Sequence, residues 1–173
     1  MLVNKKNFNH IKIHTQYSIC EGAIKIDELA DFCKFNKIKT LGLADSYNLC
    51  GALEFSEKIS KVGTHPIIGT QINLKVSDII GKISLYATSE QGYKNLTKLS
   101  SASYLNNNAM TDPSCNLKNL TENNDGLILL TGNYTNFFGK LFYKNKLKDF
   151  EHILNSLKSS FKERLYIEIQ RHD

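Results

Sequence analysis

The sequence contains no tryptophan, only two prolines and only four cysteines among its 173 residues. The cysteines, Cys20, Cys33, Cys50 and Cys115, are widely spaced and form no CxxC pair, so the sequence indicates neither a zinc knuckle nor a disulfide framework. We expect buried or half-buried thiols in a reducing cytosol. We attribute the absence of tryptophan to nucleotide composition, because asparagine, lysine and isoleucine are abundant.

Long apolar segments are also missing. The N-terminal stretch has no apolar core of the kind found in a signal peptide, and no apolar run approaches the length needed to cross a membrane. We therefore expect a soluble, cytoplasmic protein. The chain also lacks the GxxxxGK pattern of a phosphate-binding loop, so its glycines are interpreted as turn and close-packing positions.

The composition is that of an ordinary globular protein. Hydrophobic residues make up 41% of the chain and charged residues 23%, which is enough apolar material for one core. The formal net charge is +5, and the lysines are scattered rather than clustered. A solvated, lysine-rich surface explains that excess better than a nucleic-acid interface does. We expect one domain, or part of a larger one.

Short apolar strands alternate with amphipathic helices along the chain, and this alternation predicts a parallel α/β architecture. The expected strands are Ile11–Thr15, Lys39–Ala44, Pro66–Leu74, Gly126–Thr131 and Arg164–Gln170, with Lys82–Ala87 as a hairpin partner or extension of the third. The expected helices are Ile26–Asn36, Leu49–Val62, Ser89–Tyr104, Leu117–Glu122, Asn136–Tyr143 and Leu147–Phe161. A polar loop is expected at Asn106–Asn116, and Ser89 is a candidate helix N-cap.

The first two helices carry apolar stripes that we expect to face the core. The stripe of the first helix consists of Ile26, Leu29, Ala30, Cys33 and Phe35. In the second helix, Leu53, Phe55 and Ile59 are expected to point partly inward.

The first strand places three polar side chains on one face. His10, Lys12 and His14 alternate with Ile11 and Ile13, and successive side chains of a strand point to opposite faces. Three polar positions side by side indicate a site at the mouth of a barrel rather than plain core. The central lysine is unexpected in a metal site, because an ammonium group is not a metal ligand at neutral pH.

Polar residues fall at or near the C-terminal ends of five expected strands. They are His14, Asp45, Gln71, Asn133 and His172. Functional sites of parallel barrels are built at that end of the strands, so these residues are candidates for one site. Gln71 and Asn133 could instead simply cap loops rather than belong to a functional site.

Four stretches, in order along the chain, resemble one protein family. They are IKIHTQYSICEGAIKI, LGLADSYNLCGALEFSEKISKVGTHPIIGTQINL, GYKNLTKLSSASYL, and GLILLTG followed by LYIEIQRH. Together they are similar to the N-terminal PHP (polymerase and histidinol phosphatase) domain of bacterial replicative DNA polymerase III alpha subunits. The resemblance runs over residues 8–172. It implies an α/β fold that is the first part, about five strands, of a distorted (β/α)7 PHP barrel.

The resemblance also implies that residues 1–173 form the N-terminal part of one PHP domain. The rest of the barrel and the polymerase body would then lie outside this chain. The fifth expected strand has no helix after it, and five strands do not close a typical barrel, so the chain is also expected on these grounds to be the N-terminal part of something longer or, alternatively, a truncated fragment.

Active members of this family hold metal ions at the barrel mouth with His, Asp, Glu and Cys ligands, and this chain does not keep that pattern. Lys12 and Ser46 stand where the first two motifs have a histidine. Gln71 replaces a glutamate of the third-strand motif, and Asn133 stands where a cysteine is frequent. The ligands that the pattern still provides are His14, Asp45 and His172.

Four losses in one shell should abolish a tight multinuclear site. Glutamine removes a negative charge, serine removes a nitrogen donor, and lysine repels a cation at close range. We therefore predict no catalytic residue and no bound metal in this segment. We also hypothesise that Lys12 takes the place of the metal by projecting between His10 and His14 and pairing with Asp45, because an unpaired buried charge is costly.

Three functions follow from the resemblance. The first is a non-catalytic scaffold that supports the rest of the polymerase alpha subunit and docks the proofreading exonuclease subunit, with DNA reached through the parent holoenzyme and no membrane partner. The second is a metal-dependent PHP phosphoesterase or 3′–5′ exonuclease with Zn²⁺ or Mn²⁺, against which the four lost ligands argue. The third, a free-standing small-molecule phosphatase, loses the same ligands. The parent would be a DNA-directed DNA polymerase, a nucleotidyltransferase that uses Mg²⁺ in a palm domain absent from this chain.

Overall fold

The computed structural model describes residues 8–105 and 111–169. In chain order, its strands and helices are β1 (His10–Ile13), α1 (Ile26–Asn36), β2 (Thr40–Ser46), α2 (Ala52–Lys61), β3 (His65–Val76), β4 (Ile79–Ala87), α3 (Glu90–Leu105), β5 (Ser114–Asn116), α4 (Leu117–Glu122), β6 (Leu127–Leu130), α5 (Phe137–Tyr143), α6 (Leu147–Phe161) and β7 (Leu165–Tyr166). A short 3-10 helix, Lys162–Arg164, connects α6 to β7.

The strands form one mixed sheet in the order β1-β2-β3-β4-β6-β7. The β1–β2, β2–β3 and β6–β7 pairs are parallel, whereas β4 runs antiparallel to both of its neighbours. The expectation of a parallel sheet was therefore wrong at β4. Only Ser77 and Asp78 separate β3 from β4, and a connection this short can join only antiparallel strands. The alternative expectation of a hairpin partner at Lys82–Ala87 is confirmed.

The sheet is strongly curled. β1 and β7 lie at opposite ends of the six-strand path, and a flat sheet would hold them about 24 Å apart at a spacing of about 4.8 Å per strand. Lys12 of β1 nevertheless lies 2.8 Å from Glu168, two residues beyond β7. Two side chains cannot bridge the flat-sheet distance, so the sheet must curve around a concave face that carries this ion pair.

Helices pack against the opposite, convex face and bury two apolar clusters. One lies between α1, α2 and β2 and contains Ile26, Leu29, Ala30, Cys33, Leu41, Leu43, Ala52, Phe55 and Ile59. The other lies between the second half of the sheet and helices α3 to α6, and its fully buried members include Phe137, Leu157 and Phe161. The core is therefore on the outer side of the sheet, and the concave side is left for polar groups.

Three helices have the bounds that the sequence predicts. α1, α4 and α6 begin and end at the expected residues. The N-cap prediction at Ser89 is confirmed, because its hydroxyl oxygen accepts a hydrogen bond of 3.0 Å from the backbone N–H of Gly92. The chain leaves α1 through Lys37 in the left-handed conformation.

Two predicted segments differ from the structure. Part of the expected loop, Ser114–Asn116, forms β5 and pairs in parallel with the far end of β3, because β3 continues beyond the end of β2 and exposes a free edge there. The expected strand Arg164–Gln170 shortens to Leu165–Tyr166, preceded by the 3-10 turn. Gln170 lies outside the described residues.

Phe35 and Leu53 do not face the core. Phe35 is 87% exposed and Leu53 is 72% exposed. At 100° per residue, Phe35 lies on the side of α1 opposite to the buried row that includes Ile26 and Cys33. The prediction that it belongs to the buried stripe was therefore wrong. No helix in residues 8–105 and 111–169 is long and apolar enough to cross a membrane.

We predict that Gly42→Ala destabilises the protein by about 1–3 kcal/mol, because an added Cβ would lie 2.3 Å from the carbonyl oxygen and 2.5 Å from the Cα of Ile11, which are backbone atoms that cannot turn aside. Urea unfolding followed by circular dichroism measures the change. Gly63→Asn is the control: Gly63 has a φ of +81° and open space around it, and asparagine tolerates that conformation. Equal stability of Gly42→Ala and the wild type would contradict the close approach of β1 to β2.

Candidate functional site at the barrel mouth

Asp45 is the centre of the polar mouth, at the end of β2. It is completely buried, and its carboxylate accepts hydrogen bonds from the backbone N–H of Thr15 at 2.6 Å, the hydroxyl of Thr15 at 2.8 Å and the hydroxyl of Ser18 at 2.6 Å. These three donors come from the loop that follows β1. The carboxylate therefore holds that loop over the mouth, and protein donors occupy both of its oxygens.

A second group lies beside it and includes an ion pair. The hydroxyl of Ser46 donates to Glu21 at 2.5 Å, and the ammonium group of Lys82 donates to the Ser46 oxygen at 3.1 Å and also pairs with Glu21. Burial alone would raise the pKa of Glu21, but the hydrogen bonds from Lys82 and Ser46 outweigh it and lower the pKa below its ordinary value. Glu21 is therefore held as a carboxylate.

Lys12 pairs with Glu168 rather than with Asp45, so the predicted Lys12–Asp45 pair was wrong. Lys12 Nζ lies 2.8 and 3.0 Å from the two carboxylate oxygens of Glu168, and both side chains are largely buried. The backbone N–H of Glu168 donates to the hydroxyl of Thr131 at 3.2 Å. Asp45 is already satisfied by neutral donors, whereas Glu168 brings a carboxylate across the concave face to the lysine.

His14 is half buried at the end of β1 and has its Nδ1 at 3.4 Å from the hydroxyl of Ser18. Burial lowers the pKa of His14, and the nearby ammonium groups of Lys82 and Lys12 act in the same direction. The carboxylates of Glu21 and Asp45 act in the opposite direction without reversing the shift. The neutral imidazole is therefore favoured in the folded protein.

The structure brings some of the predicted site residues together. Gln71 is level with Ser46 in the β2–β3 register, and its amide donates to the hydroxyl of Ser84 at 3.0 Å. Asn133 lies in the loop after β6, where its side-chain oxygen accepts from the backbone and hydroxyl of Thr135. His172 lies outside the described residues. Of the predicted set, His14, Asp45, Ser46 and Lys12 form the mouth with Gln71 beside them.

Two features of the described residues bear on what this site can do chemically. The hydroxyl of Ser18 lies 3.4 Å from Nδ1 of His14, but it is fully buried and donates its hydrogen bond to Asp45 rather than to the imidazole, so it is not arranged as an activated nucleophile. Among residues 8–105 and 111–169, no three His, Cys, Asp or Glu side chains are grouped so that they could hold a metal ion. The mouth is built as a hydrogen-bonded network with two cation–carboxylate pairs.

Sequence reasoning missed several members of this network. Ser18 and Glu21 lie in the stretch YSICEG that carries the resemblance, yet no role was assigned to them. Glu168 could have been found from the alternation in LYIEIQ, which places it on the face opposite to Ile167 and Ile169. Lys82 could not have been found from the sequence pattern, because its position depends on the register of the β3–β4 hairpin.

Comparisons with known proteins agree with this architecture. A family model described as PHP domain matches residues 10–172. DNA polymerase III subunit alpha of Caulobacter vibrioides is 35% identical over 96% of this chain and 15% of its own length, and that of Rickettsia felis is 34% identical over 98% and 14%. The chain thus spans about one seventh of the length of these relatives.

A solved structure from Bifidobacterium adolescentis, described as a metal-dependent phosphoesterase, aligns with 55% of this chain and 34% of its own. The TM-score is 0.42 and the sequence identity is 18%. A likeness this weak supports no functional argument.

We predict that Lys12 and Glu168 are energetically coupled. In a double-mutant cycle of Lys12→Met, Glu168→Gln and the double variant, the coupling should be about 1–2 kcal/mol, because each single change leaves a largely buried charge without its partner. Urea unfolding at constant ionic strength measures it. The control pair Glu90–Lys94 is exposed on α3 and should couple by less than about 0.5 kcal/mol. Additive effects at Lys12 and Glu168 would show that the pair contributes nothing.

We predict that His14 makes folding sensitive to mild acid. Its pKa is lower in the folded protein than in the unfolded chain, so the unfolded chain takes up a proton first as the pH falls through the ordinary histidine range. Stability should therefore decrease between about pH 7.5 and pH 5.5, and less so in His14→Gln. Urea unfolding at both pH values provides the measurement, with His65→Gln on the exposed start of β3 as control. An unchanged pH dependence in His14→Gln would disprove the assignment.

Proposed function

We propose a function for this chain from one established premise: it belongs to the PHP domain family, and its curated relatives are DNA polymerase III alpha subunits. We propose that residues 1–173 are the N-terminal part of the PHP domain of such a subunit. There the chain acts as a non-catalytic scaffold that supports the polymerase body and docks the proofreading exonuclease, as a cytoplasmic protein. DNA contacts and Mg²⁺-dependent nucleotidyl transfer belong to the longer parent.

The observation that carries this proposal is the chemistry of the donor set at the mouth. Lys12 stands in a position where the family binds a metal through histidine, and its ammonium group is committed to Glu168. Ser46 and Gln71 stand at two further ligand positions and hydrogen-bond to Glu21 and Ser84. Such a set does not fit the metal cluster that the family implies, because it supplies a cation and neutral groups where anionic ligands are needed.

The alternative function, a Zn²⁺- or Mn²⁺-dependent phosphoesterase or 3′–5′ exonuclease, would depend on His14, Asp45 and His172. Asp45 would first have to give up hydrogen bonds from Thr15 and Ser18. Replacing three hydrogen-bond donors by one metal ion stabilises a buried carboxylate only if other ligands complete the coordination shell of the metal. The scaffold function requires no such exchange, and we therefore prefer it.

We predict that the purified chain retains no stoichiometric Zn, Mn or Fe after dialysis and hydrolyses neither p-nitrophenyl phosphate nor a 3′-labelled single-stranded oligonucleotide, with or without added Mn²⁺. Mass spectrometry of metals and the two assays provide the measurements. The matched control restores all four ligands, Lys12→His, Ser46→His, Gln71→Glu and Asn133→Cys, and should gain metal. Turnover by the wild type that is lost in His14→Ala and Asp45→Asn would establish the alternative function.

Docking of the exonuclease is the second half of the proposal. Size-exclusion chromatography of the chain with the purified proofreading exonuclease subunit of the same organism should yield a 1:1 complex. Failure to co-elute would remove the docking role from these residues, whereas the catalytic assays would still decide between scaffold and enzyme.

A further inference from the structure

Several exposed lysines lie together at the end of the sheet opposite to the mouth. In a β-α-β unit the helix runs back against the strands, so its C-terminus lies at the same end as the start of the next strand. Because β2 and β3 are parallel, the last turns of α1 and α2 share one end of the sheet with the starts of these strands. We call this end the basal surface, and its exposed members are Lys34, Phe35, Lys37, Lys39, Lys61 and His65.

Hydrogen bonds hold the two connections of the basal surface side by side. The hydroxyl of Thr64 donates to the carbonyl oxygen of Ile38 at 2.7 Å. The backbone N–H of His65 donates to the carbonyl oxygen of Lys39 at 2.8 Å. Residues 37–39 and 62–64 therefore lie against each other, and lysines that are far apart in the sequence meet on one surface.

The positive charge of the basal surface is not balanced by ion pairs. In the part of the chain that the structure describes, residues 8–105 and 111–169, no ion pair includes any of its four lysines, Lys34, Lys37, Lys39 and Lys61. The last carboxylates of α1 and α2, Asp31 and Glu57, lie one turn before the basal lysines of these helices. The helix dipole favours lysine in a last turn, but it does not account for Lys39, which directly precedes β2.

Aromatic rings are exposed at the same end of the sheet. Phe35, in the last turn of α1, is 87% exposed. Phe8 is 62% exposed, and its ring meets that of His10 edge-on at a centroid distance of 4.7 Å. His10 is level with Leu41 in the β1–β2 register, so this second ring also lies at the start of the strands. Lysines with aromatic rings among them are the combination that binds single-stranded nucleic acids, because the lysines neutralise phosphates and the rings stack on bases.

From this arrangement we propose that the basal surface binds single-stranded nucleic acid, with its lysines on neighbouring phosphates and Phe35 stacked on a base. The inference goes beyond the proposed function, which leaves the DNA contacts of nucleotidyl transfer to the longer parent. The lysines are scattered along the sequence, and only the fold places four of them at one end.

Other polyanions match only part of this surface. An acidic protein segment can pair with the lysines, but its carboxylates offer nothing to the exposed face of Phe35. In duplex DNA the bases are stacked on one another and paired, so the ring has no free base to contact. A single strand satisfies both features, because its phosphates and its unstacked bases are accessible together.

The first test is the salt dependence of binding to a fluorescein-labelled oligothymidylate of about 15 nucleotides, followed by fluorescence anisotropy. Four neutralised phosphates should give a slope of about −3 in a plot of log K against log salt concentration, because each contributes about −0.7 on a single strand. The double variant Lys39→Gln, Lys61→Gln should reduce the slope to about −1.4.

The matched control removes two lysines at the other end of the sheet. Lys75 lies ten residues after His65 in β3, or about 33 Å along the strand. Lys118 follows β5, which pairs with that far end of β3. The variant Lys75→Gln, Lys118→Gln has the same net charge as the first double variant and should keep the slope of the wild type. Circular dichroism should show the same fold in both variants.

The second test addresses the stacking of Phe35. Phe35→Ala should weaken binding of the oligothymidylate by about tenfold and leave the salt slope unchanged, because stacking on one base contributes about 1–3 kcal/mol. On an abasic oligonucleotide of the same length, Phe35→Ala and the wild type should bind equally. Leu53→Ala, at an apolar residue of α2 that is 72% exposed, is the control and should not change either affinity.

Four results would overturn the inference. They are a salt slope that Lys39→Gln, Lys61→Gln does not reduce, an equal reduction by the control pair, equal competition by poly-glutamate of the same charge, and a loss in Phe35→Ala that persists on the abasic strand. Failure of the scaffold proposal would instead appear as phosphoester turnover or as absence of the exonuclease complex, which these binding measurements do not detect.

Discussion

The carboxylate of Asp45 imposes the constraint on which the rest of the mouth depends. A buried negative charge is tolerated only if donors surround it, and here they come from Thr15 and Ser18 in the loop after β1. That loop must therefore fold back over the end of β2. The fold-back brings Glu21 of the same loop to Ser46 and Lys82, and it buries one side of His14. One charge thus organises a segment that has little regular secondary structure of its own.

Two ammonium groups complete this arrangement. Lys12 and Lys82 reach the concave face from different strands, and each ends on a glutamate, Glu168 and Glu21 respectively. Fixed cations can balance carboxylates as a bound ion would, but each ammonium group supplies at most three hydrogen bonds and is tethered to its own strand. The mouth is therefore held by pairs between particular strands. The Lys12–Glu168 pair connects the two ends of the curled path.

The parts of this structure that could be predicted from sequence are those decided by local pattern. α1 and α6 have the predicted bounds because apolar periodicity sets the buried face of each helix. Phe35 was predicted to face the core because it is apolar, but its angle around α1 puts it on the exposed side of the helix. The direction of β4, the pairing of β5 with β3 and the partner of Lys12 depend on contacts between residues far apart in the chain, which no local pattern contains. The inward direction of Lys12 was predictable, whereas Glu168 as its partner was not.

Under the proposed function, the separation of core from mouth would explain how ligand positions can change while the fold persists. The large apolar clusters lie between the convex face and the helices, whereas Lys12, Ser46 and Gln71 make their side-chain contacts with polar groups of the mouth. A replacement at these positions therefore acts mainly on polar contacts, and the polar groups left behind must find partners. Ser46 does so through hydrogen bonds with Glu21 and Lys82, Gln71 through one with Ser84, and Lys12 through Glu168. The fold then requires only that each buried polar group has a hydrogen-bond partner. A hydrogen-bond network can meet this requirement with more combinations of side chains than a metal shell can.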